Sequence, residues 1–167
     1  GFDMIFPEED RHSPANIARI YPDLPEPVGR ALARQADPDR HFARTIGRLP
    51  VVLARAGHHG KTIDENRRRT RIPLDAGFTG DPAPPGLLSF ENVRTNLPAF
   101  DQAAAGQAAI NAPPDGDGIL RRVPLAVMIG GRPTPTLALE MLRVASNAED
   151  YRLETRNGRL VSITTGK

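Results

Sequence analysis

Apolar positions along this chain recur with two periods, and each change of period marks an element. Phe2 to Phe6 is a short apolar run broken by Asp3, the pattern of a buried strand. Pro7 to Leu24 has no clear period and reads as a loop with one turn of helix near Asn16 to Ile20. A helix is predicted from Glu26 to Gln35, with Val28, Ala31 and Leu32 on one face. Asp37 before Pro38 is an N-cap with proline at the first helical position. Phe42, Ala43 and Ile46 supply the next apolar stripe, and Gly47 ends it. Val51 to Ala54 reads as a strand. Strand, helices and strand in that order predict a right-handed crossover between parallel strands.

Periodicity disappears from Ala56 to Pro85, which holds His58-His59, the basic run Arg67 to Arg71 and a Pro- and Gly-rich exit. We read it as a long excursion with at most one short strand near Arg71 to Leu74. Gly57 to Pro85 is expected to be the most mobile part of the chain or a lid over a cleft beside the sheet. Leu97 to Ala104 is predicted helical, capped by Asn96 with Pro98 just inside, and Gln107 to Asn111 is predicted as a strand.

From Asn111 to Leu125 the pattern is densest. Pro113 and Pro114 hold the chain extended, Asp115-Gly116-Asp117-Gly118 turns it, and Ile119 to Val123 reads as a strand, so a hairpin is expected. Alternation along that strand puts Arg121 and Arg122 on opposite faces, and one of them is expected to meet the body of the domain. An arginine held there needs a carboxylate, from Asp115, Asp117 or Asp3. Ala126 to Ile129 is the expected partner strand, and Gly130-Gly131 turns the chain. A helix follows with Thr134 as N-cap and Pro135 first. Its apolar face is Leu137, Ala138, Met141, Leu142 and Ala145, opposite Glu140 and Arg143. Tyr151 to Thr155 and Leu160 to Ile163 flank Asn157-Gly158, a strong hairpin signal. The fold class is α/β: a mixed β-sheet with packed helices, a parallel crossover in the N-terminal half and hairpins in the C-terminal half.

Composition narrows the function classes. A chain of 167 residues with 39% apolar content fits one domain, residues 1–167, around one core. With 22 Lys and Arg against 20 Asp and Glu, the net charge of +2 demands no polyanion, and no nucleic-acid partner is expected. Absence of cysteine removes disulfides, thiolate catalysis and Cys-ligated zinc. No apolar run has membrane-spanning length, so the chain is expected to be soluble as it stands. Asp115 to Gly118 invites a calcium loop, but the fifth and twelfth ligand positions would be Ile119 and Ala126, and an ordinary turn fits better. Adjacent His58 and His59 cannot both face one metal on a regular strand. The arginine run from Arg67 lacks interleaved aromatics and reads as a solvated stretch. No catalytic motif is present, and neither a metal nor a cofactor is expected. Asp3, Asp10 and Asp117 converging as an acidic site is the enzyme alternative. Their neighbours Arg11, Arg121 and Arg122 favour ion pairing over catalysis.

Two blocks carry a resemblance. Gly1-Phe2-Asp3-Met4-Ile5-Phe6 followed by Pro7-Glu8-Glu9-Asp10-Arg11 resembles a G-F-D-x-x-F-x-x-x-D-R block. Ala108 to Asn111, Pro114 to Gly118, Ile119 to Leu125 and Pro135 to Leu139 resemble a strand ending in Asn, then P-x-D-x-D-G, I/V-x-R-R-x-P-L and P-T/S-L-A-L. Together, in that order, they are similar to the CHASE2 family of extracytoplasmic sensor domains, with Gly57 to Pro85 outside the matching blocks. The resemblance implies a non-catalytic, ligand-sensing module on the periplasmic face of a bacterial membrane. Its parent receptor would be membrane-anchored and lead to a histidine kinase, nucleotide cyclase, diguanylate cyclase or protein kinase. It also implies that the chain is an excerpt, with a strand and helix before Gly1 and further strands after Lys167. Phe2 to Phe6 would then present an apolar edge, and a homodimer is expected. The signal is an unassigned small molecule or peptide. Asp3, Asp10, Arg11, Asn111, Asp115, Asp117, Arg121 and Arg122, the polar residues of the two blocks, are the candidate ligand-binding set. Besides the acidic enzyme, a structural interaction module is the other alternative.

Overall fold

The computed structural model describes residues 1–60, 78–80, 86–157 and 159–166. Its helices are α1 (Pro14–Ile20), α2 (Glu26–Ala33), α3 (Pro38–Ile46), α4 (Pro98–Ala103) and α5 (Leu137–Ala145). Its strands are β1 (Val52–His58), β2 (Phe78–Gly80), β3 (Ser89–Phe90), β4 (Asn92–Arg94), β5 (Gly106–Ala109), β6 (Ala126–Ile129), β7 (Arg132–Pro135), β8 (Asp150–Arg156) and β9 (Arg159–Gly166). The mixed α/β class expected from the pattern is what forms.

The first four helices each begin with proline at one of the first two positions, where its missing N–H is no loss. The Ser13 side chain accepts from the Asn16 N–H to start α1, and the Asp37 side chain accepts from Asp39 to start α3. β1 is the organising strand. It pairs in parallel with β5, from Val52 opposite Gly106 to Arg55 opposite Ala109, and antiparallel with β4 at its far end. Residues 52–55 are all buried, the signature of a strand covered on both faces. Leu53 packs with Ile46 of α3 and Phe100 of α4, while α5 packs against β1 and β5.

β6 runs parallel to β3 and forms a hairpin with β7 through Gly130 (φ +56°) and Gly131 (φ +76°), the left-handed pair that a two-residue turn requires. Thr136 N–H donates to the Leu125 carbonyl, so the even-numbered N–H groups of β7 face β6. Pro133 and Pro135 therefore stand where an N–H would point the other way, toward β5. On that side, among the described residues, a single bridge, Ala109 to Thr136, joins the β4–β1–β5 and β3–β6–β7 sheets. The third sheet places β8 between β2 and β9, with Asn157 (φ +52°) turning the β8–β9 hairpin.

Several expectations are corrected. Residues 119–123 form no strand, and β6 pairs instead with β7 and β3. Ile119, Leu120, Val123 and Leu125 are all exposed, so this run buries little against the described residues. Thr134 and Pro135 belong to β7, and α5 starts at Leu137. Its buried residues are Leu139 and Glu140, whereas Ala138, Met141, Leu142 and Ala145 face solvent, so the inward face is the one expected to be polar. Residues 2–6 contribute one parallel bridge, Phe2 to Leu53, rather than a buried strand, and Phe2 and Met4 are exposed. The direction of that bridge agrees with the expected parallel crossover. Asn96 does not cap α4, because its side chain is used elsewhere and Leu97 occupies the cap position. β1 extends to His58, beyond the expected Ala54. The strand expected near residues 71–74, the arginine run, and most of the proposed mobile segment or lid lie outside the described residues.

Candidate functional site

The two sequence blocks lead to different kinds of arrangement. In the second, the turn closes through Gly118 N–H to the Asp115 carbonyl (2.8 Å) and Asp115 N–H to the Ile119 carbonyl (3.0 Å). Arg121 forks onto Asp117, with Nη1 to Oδ1 at 2.9 Å and Nη2 to Oδ2 at 2.8 Å, and also reaches Asp115 at 3.2 Å. Arg122 Nη2 lies 3.2 Å from the other Asp115 oxygen. The Arg121 hydrogen bond is the main cause holding the Asp117 carboxyl below the usual carboxylate range. Carboxylate pairing is thus present, but burial is not: Arg121 is 52% and Arg122 87% exposed. Without a strand, alternation no longer separates them, and neither meets the body of the domain.

Asn111 has a different task. Its Oδ1 accepts from Gly57 N–H at 2.6 Å and its Nδ2 donates to the Gly57 carbonyl at 2.8 Å. The amide side chain thereby continues the β1–β5 ladder one step past Ile110, whose N–H donates to Arg55. Asp3 is exposed and makes no ion pair among the described residues. Asp3, Asp10 and Asp117 do not converge: among the described residues no group of three or more His, Asp or Glu is placed to hold a metal.

The first block builds a cleft. Asn96 Oδ1 accepts from Phe6 N–H (2.8 Å) and the Phe6 carbonyl accepts from Leu97 N–H (2.8 Å), which clamps the N-terminal segment to the start of α4. Phe6 then meets Phe42 of α3 and Phe100 of α4 edge-on, with ring centroids 5.4 and 5.9 Å away. Phe42 and Phe100 are themselves 5.2 Å apart. Asp10 N–H donates to Asp39 Oδ2 at 3.0 Å, and the Asp10 carbonyl accepts from Ser13 N–H and the Asn16 amide, which anchors α1. Ile5, Phe6, Pro7, Glu8, Asp10, Asp39, Phe42 and Phe100 line a cleft of about 500 Å³. Its floor is aromatic and its rim is acidic. Of the predicted set, Asp10 lines it, and Arg11 stands outside, paired with Glu8 at 2.9 Å.

Behind this floor lies a buried polar network that sequence reasoning missed. Asn96, which holds Phe6, also donates through Nδ2 to Asp101 Oδ1 (2.9 Å) and to the Ala54 carbonyl (3.0 Å). Arg55 Nη2 reaches Asp101 Oδ2 at 3.2 Å, and Gln107 donates to the Asp101 carbonyl. Burial raises the Asp101 carboxyl and lowers the Arg55 guanidinium, and their mutual attraction opposes both shifts. Arg55 Nε and Nη1 are enclosed without a partner among the described residues. The signal in the sequence was an arginine inside the apolar run of β1. A second network sits on the other face of β1 and β5. Glu140 accepts from Arg143 Nε (3.0 Å), from Arg143 Nη2 (2.7 Å) and from the Tyr151 hydroxyl.

The family model described as CHASE2 domain matches residues 1–166. No curated protein and no solved structure matches the chain.

Proposed function

Because the chain belongs to the CHASE2 domain family, an extracellular sensor family, we propose that it is the non-catalytic, ligand-sensing module of a bacterial transmembrane signalling receptor. The family match over residues 1–166 carries this reading. In it, the chain forms one sensor domain at the periplasmic face of the cell membrane. The output domain is a histidine kinase, a nucleotide or diguanylate cyclase, or a protein kinase. Among the described residues no helix is long and apolar enough to cross a membrane, which is consistent with a segment held outside the bilayer. The cleft beneath Phe6 is the proposed ligand seat, since it is concave, largely apolar and bordered by a few polar groups.

The receptor is proposed to act as a homodimer. Ala138, Met141, Leu142 and Ala145 lie at i, i+3, i+4 and i+7 on α5 and all face solvent, an apolar stripe suited to a two-fold helix interface. Light scattering over a concentration series, compared with a Leu142→Asp variant, tests it. A monomer at every concentration discards the dimer. For sensing itself, a thermal-shift screen of the chain against small metabolites is the experiment, because a ligand bound only by the folded state raises the midpoint with its concentration. A parent receptor whose output ignores every ligand found in this way would overturn the reading.

A further inference from the structure

We propose that the cleft takes an organic ammonium ion bearing an apolar group, a proposal that rests on the sensing reading above. Its lining contains three carboxylates, Glu8, Asp10 and Asp39, and no lysine or arginine. One oxygen of each is already used: Glu8 Oε2 by Arg11, Asp10 Oδ1 by the His12 N–H, and Asp39 Oδ2 by the Asp10 N–H. Asp10 Oδ2 and Asp39 Oδ1 have no hydrogen-bond partner among the described residues, and both residues line the cleft with Phe6, Phe42 and Phe100. Of the neighbouring basic side chains, Arg11 is bonded to Glu8, and the exposed His12 ring lies 3.8 Å from Asp10.

Three ligand classes compete for such a surface. An anion is repelled by the rim, and a neutral apolar molecule gains the floor alone. A cation gains the carboxylates and the negative faces of the rings together. A bare metal ion is disfavoured because these carboxylates are not gathered closely enough to coordinate one. Spread charge over an aromatic floor instead suits a bulky ammonium, and a cleft of about 500 Å³ has room for its apolar group.

The test is titration of the chain with phenethyltrimethylammonium, 2-phenylethanol and phenylacetate, followed by calorimetry and thermal unfolding. The variants are Asp39→Asn, which keeps an amide oxygen for the Asp10 N–H, Phe42→Leu, and Arg156→Ala on the β8–β9 hairpin as a control. The ammonium probe is expected to bind at millimolar concentration or below and to raise the unfolding midpoint. Its affinity should drop about tenfold in Asp39→Asn, drop also in Phe42→Leu, and stay unchanged in Arg156→Ala. Phenylacetate binding as well as the ammonium probe overturns the proposal, as does a lack of ammonium binding or an affinity indifferent to both cleft variants. If the parent receptor answers a ligand whose affinity neither cleft variant changes, the sensing reading stands and this assignment falls. Cleft-dependent ammonium binding in a receptor whose output never changes supports the assignment and counts against sensing.

Discussion

Arg55 of β1 and Asp101 of α4 stand 3.2 Å apart with side chains 1% and 0% exposed, an ion pair sealed between strand and helix. Asp101→Ala should destabilise the chain by about 3–5 kcal/mol, because it leaves a buried guanidinium uncompensated. Arg55→Met combined with Asp101→Leu should cost far less than Asp101→Ala alone, since desolvation of both charges is then avoided. Urea unfolding of the single and double variants measures the difference, and a double variant no better than Asp101→Ala would refute it.

Tyr151→Phe removes the hydroxyl that donates to buried Glu140 and should cost about 2 kcal/mol at neutral pH. Burial first, and the bond to Glu140 second, push the Tyr151 ionisation up. The unfolded chain therefore releases this proton near the ordinary value of about 10 while the folded chain keeps it. Stability from Tyr151 is full below that pH and is lost as pH climbs toward the raised folded value. The gap between the native chain and Tyr151→Phe should narrow in strong alkali. A gap that stays constant across that range in denaturant titrations would contradict this.

Gly106→Ala should cost about 3 kcal/mol, an overpacking penalty at the upper end of the usual range. A Cβ at residue 106 would overlap the Glu140 carboxylate. Glu140 cannot swing aside, because Arg143 grips both of its oxygens and Tyr151 bonds to one of them. Calorimetric unfolding of the variant gives the value, and a change within error of zero would show that the carboxylate has freedom to move.

Asn111→Ala should lower stability by about 1–2 kcal/mol through loss of both bonds to Gly57. Amide exchange at Gly57 should quicken more than at Leu53, whose ladder is untouched. Equal acceleration at the two sites would mean that the variant loosens the whole strand rather than its end.

Arg121→Ala and Arg122→Ala should each leave the unfolding midpoint unchanged within error, because these ion pairs are open to solvent and screened. A clear drop for either would restore a structural role to the turn.

Local chemistry was legible in the sequence and tertiary partnership was not. Asp37-Pro38 and Asn157 marked a helix start and a hairpin because one or two residues dictate the backbone there. Residues 119–123 follow a turn and carry strand-forming Ile119 and Val123, but a strand also needs a neighbour, and no described strand pairs with them. Pro135 resembled a helix start because proline suits both that position and a strand side that needs no donor. Glu140 appeared to face outward until Arg143 and Tyr151 supplied its counter-charge and donor. The cleft was half visible: Phe6 and Asp10 fall in a recognisable block, whereas Phe42, Asp39 and Phe100 reach it from helices far along the chain. The partners Arg55 and Asp101 are separated by 46 positions, and nothing local links them.

The Ala109 to Thr136 bridge, single among the described residues, gives the molecule a crease. On either side of it three strands hold together by their own ladders, while across it Pro133 and Pro135 leave no donors to add a second stitch. A twist of one half against the other would part that bridge and shear the apolar cluster of Ala109, Val127 and Ile129, which spans both sheets. α5 lies over this fault line as a splint, leaving β7 at Thr136 and packing on β5 and β1. α5 therefore couples the half that carries the cleft, through β1 and β5, to the half that carries β7.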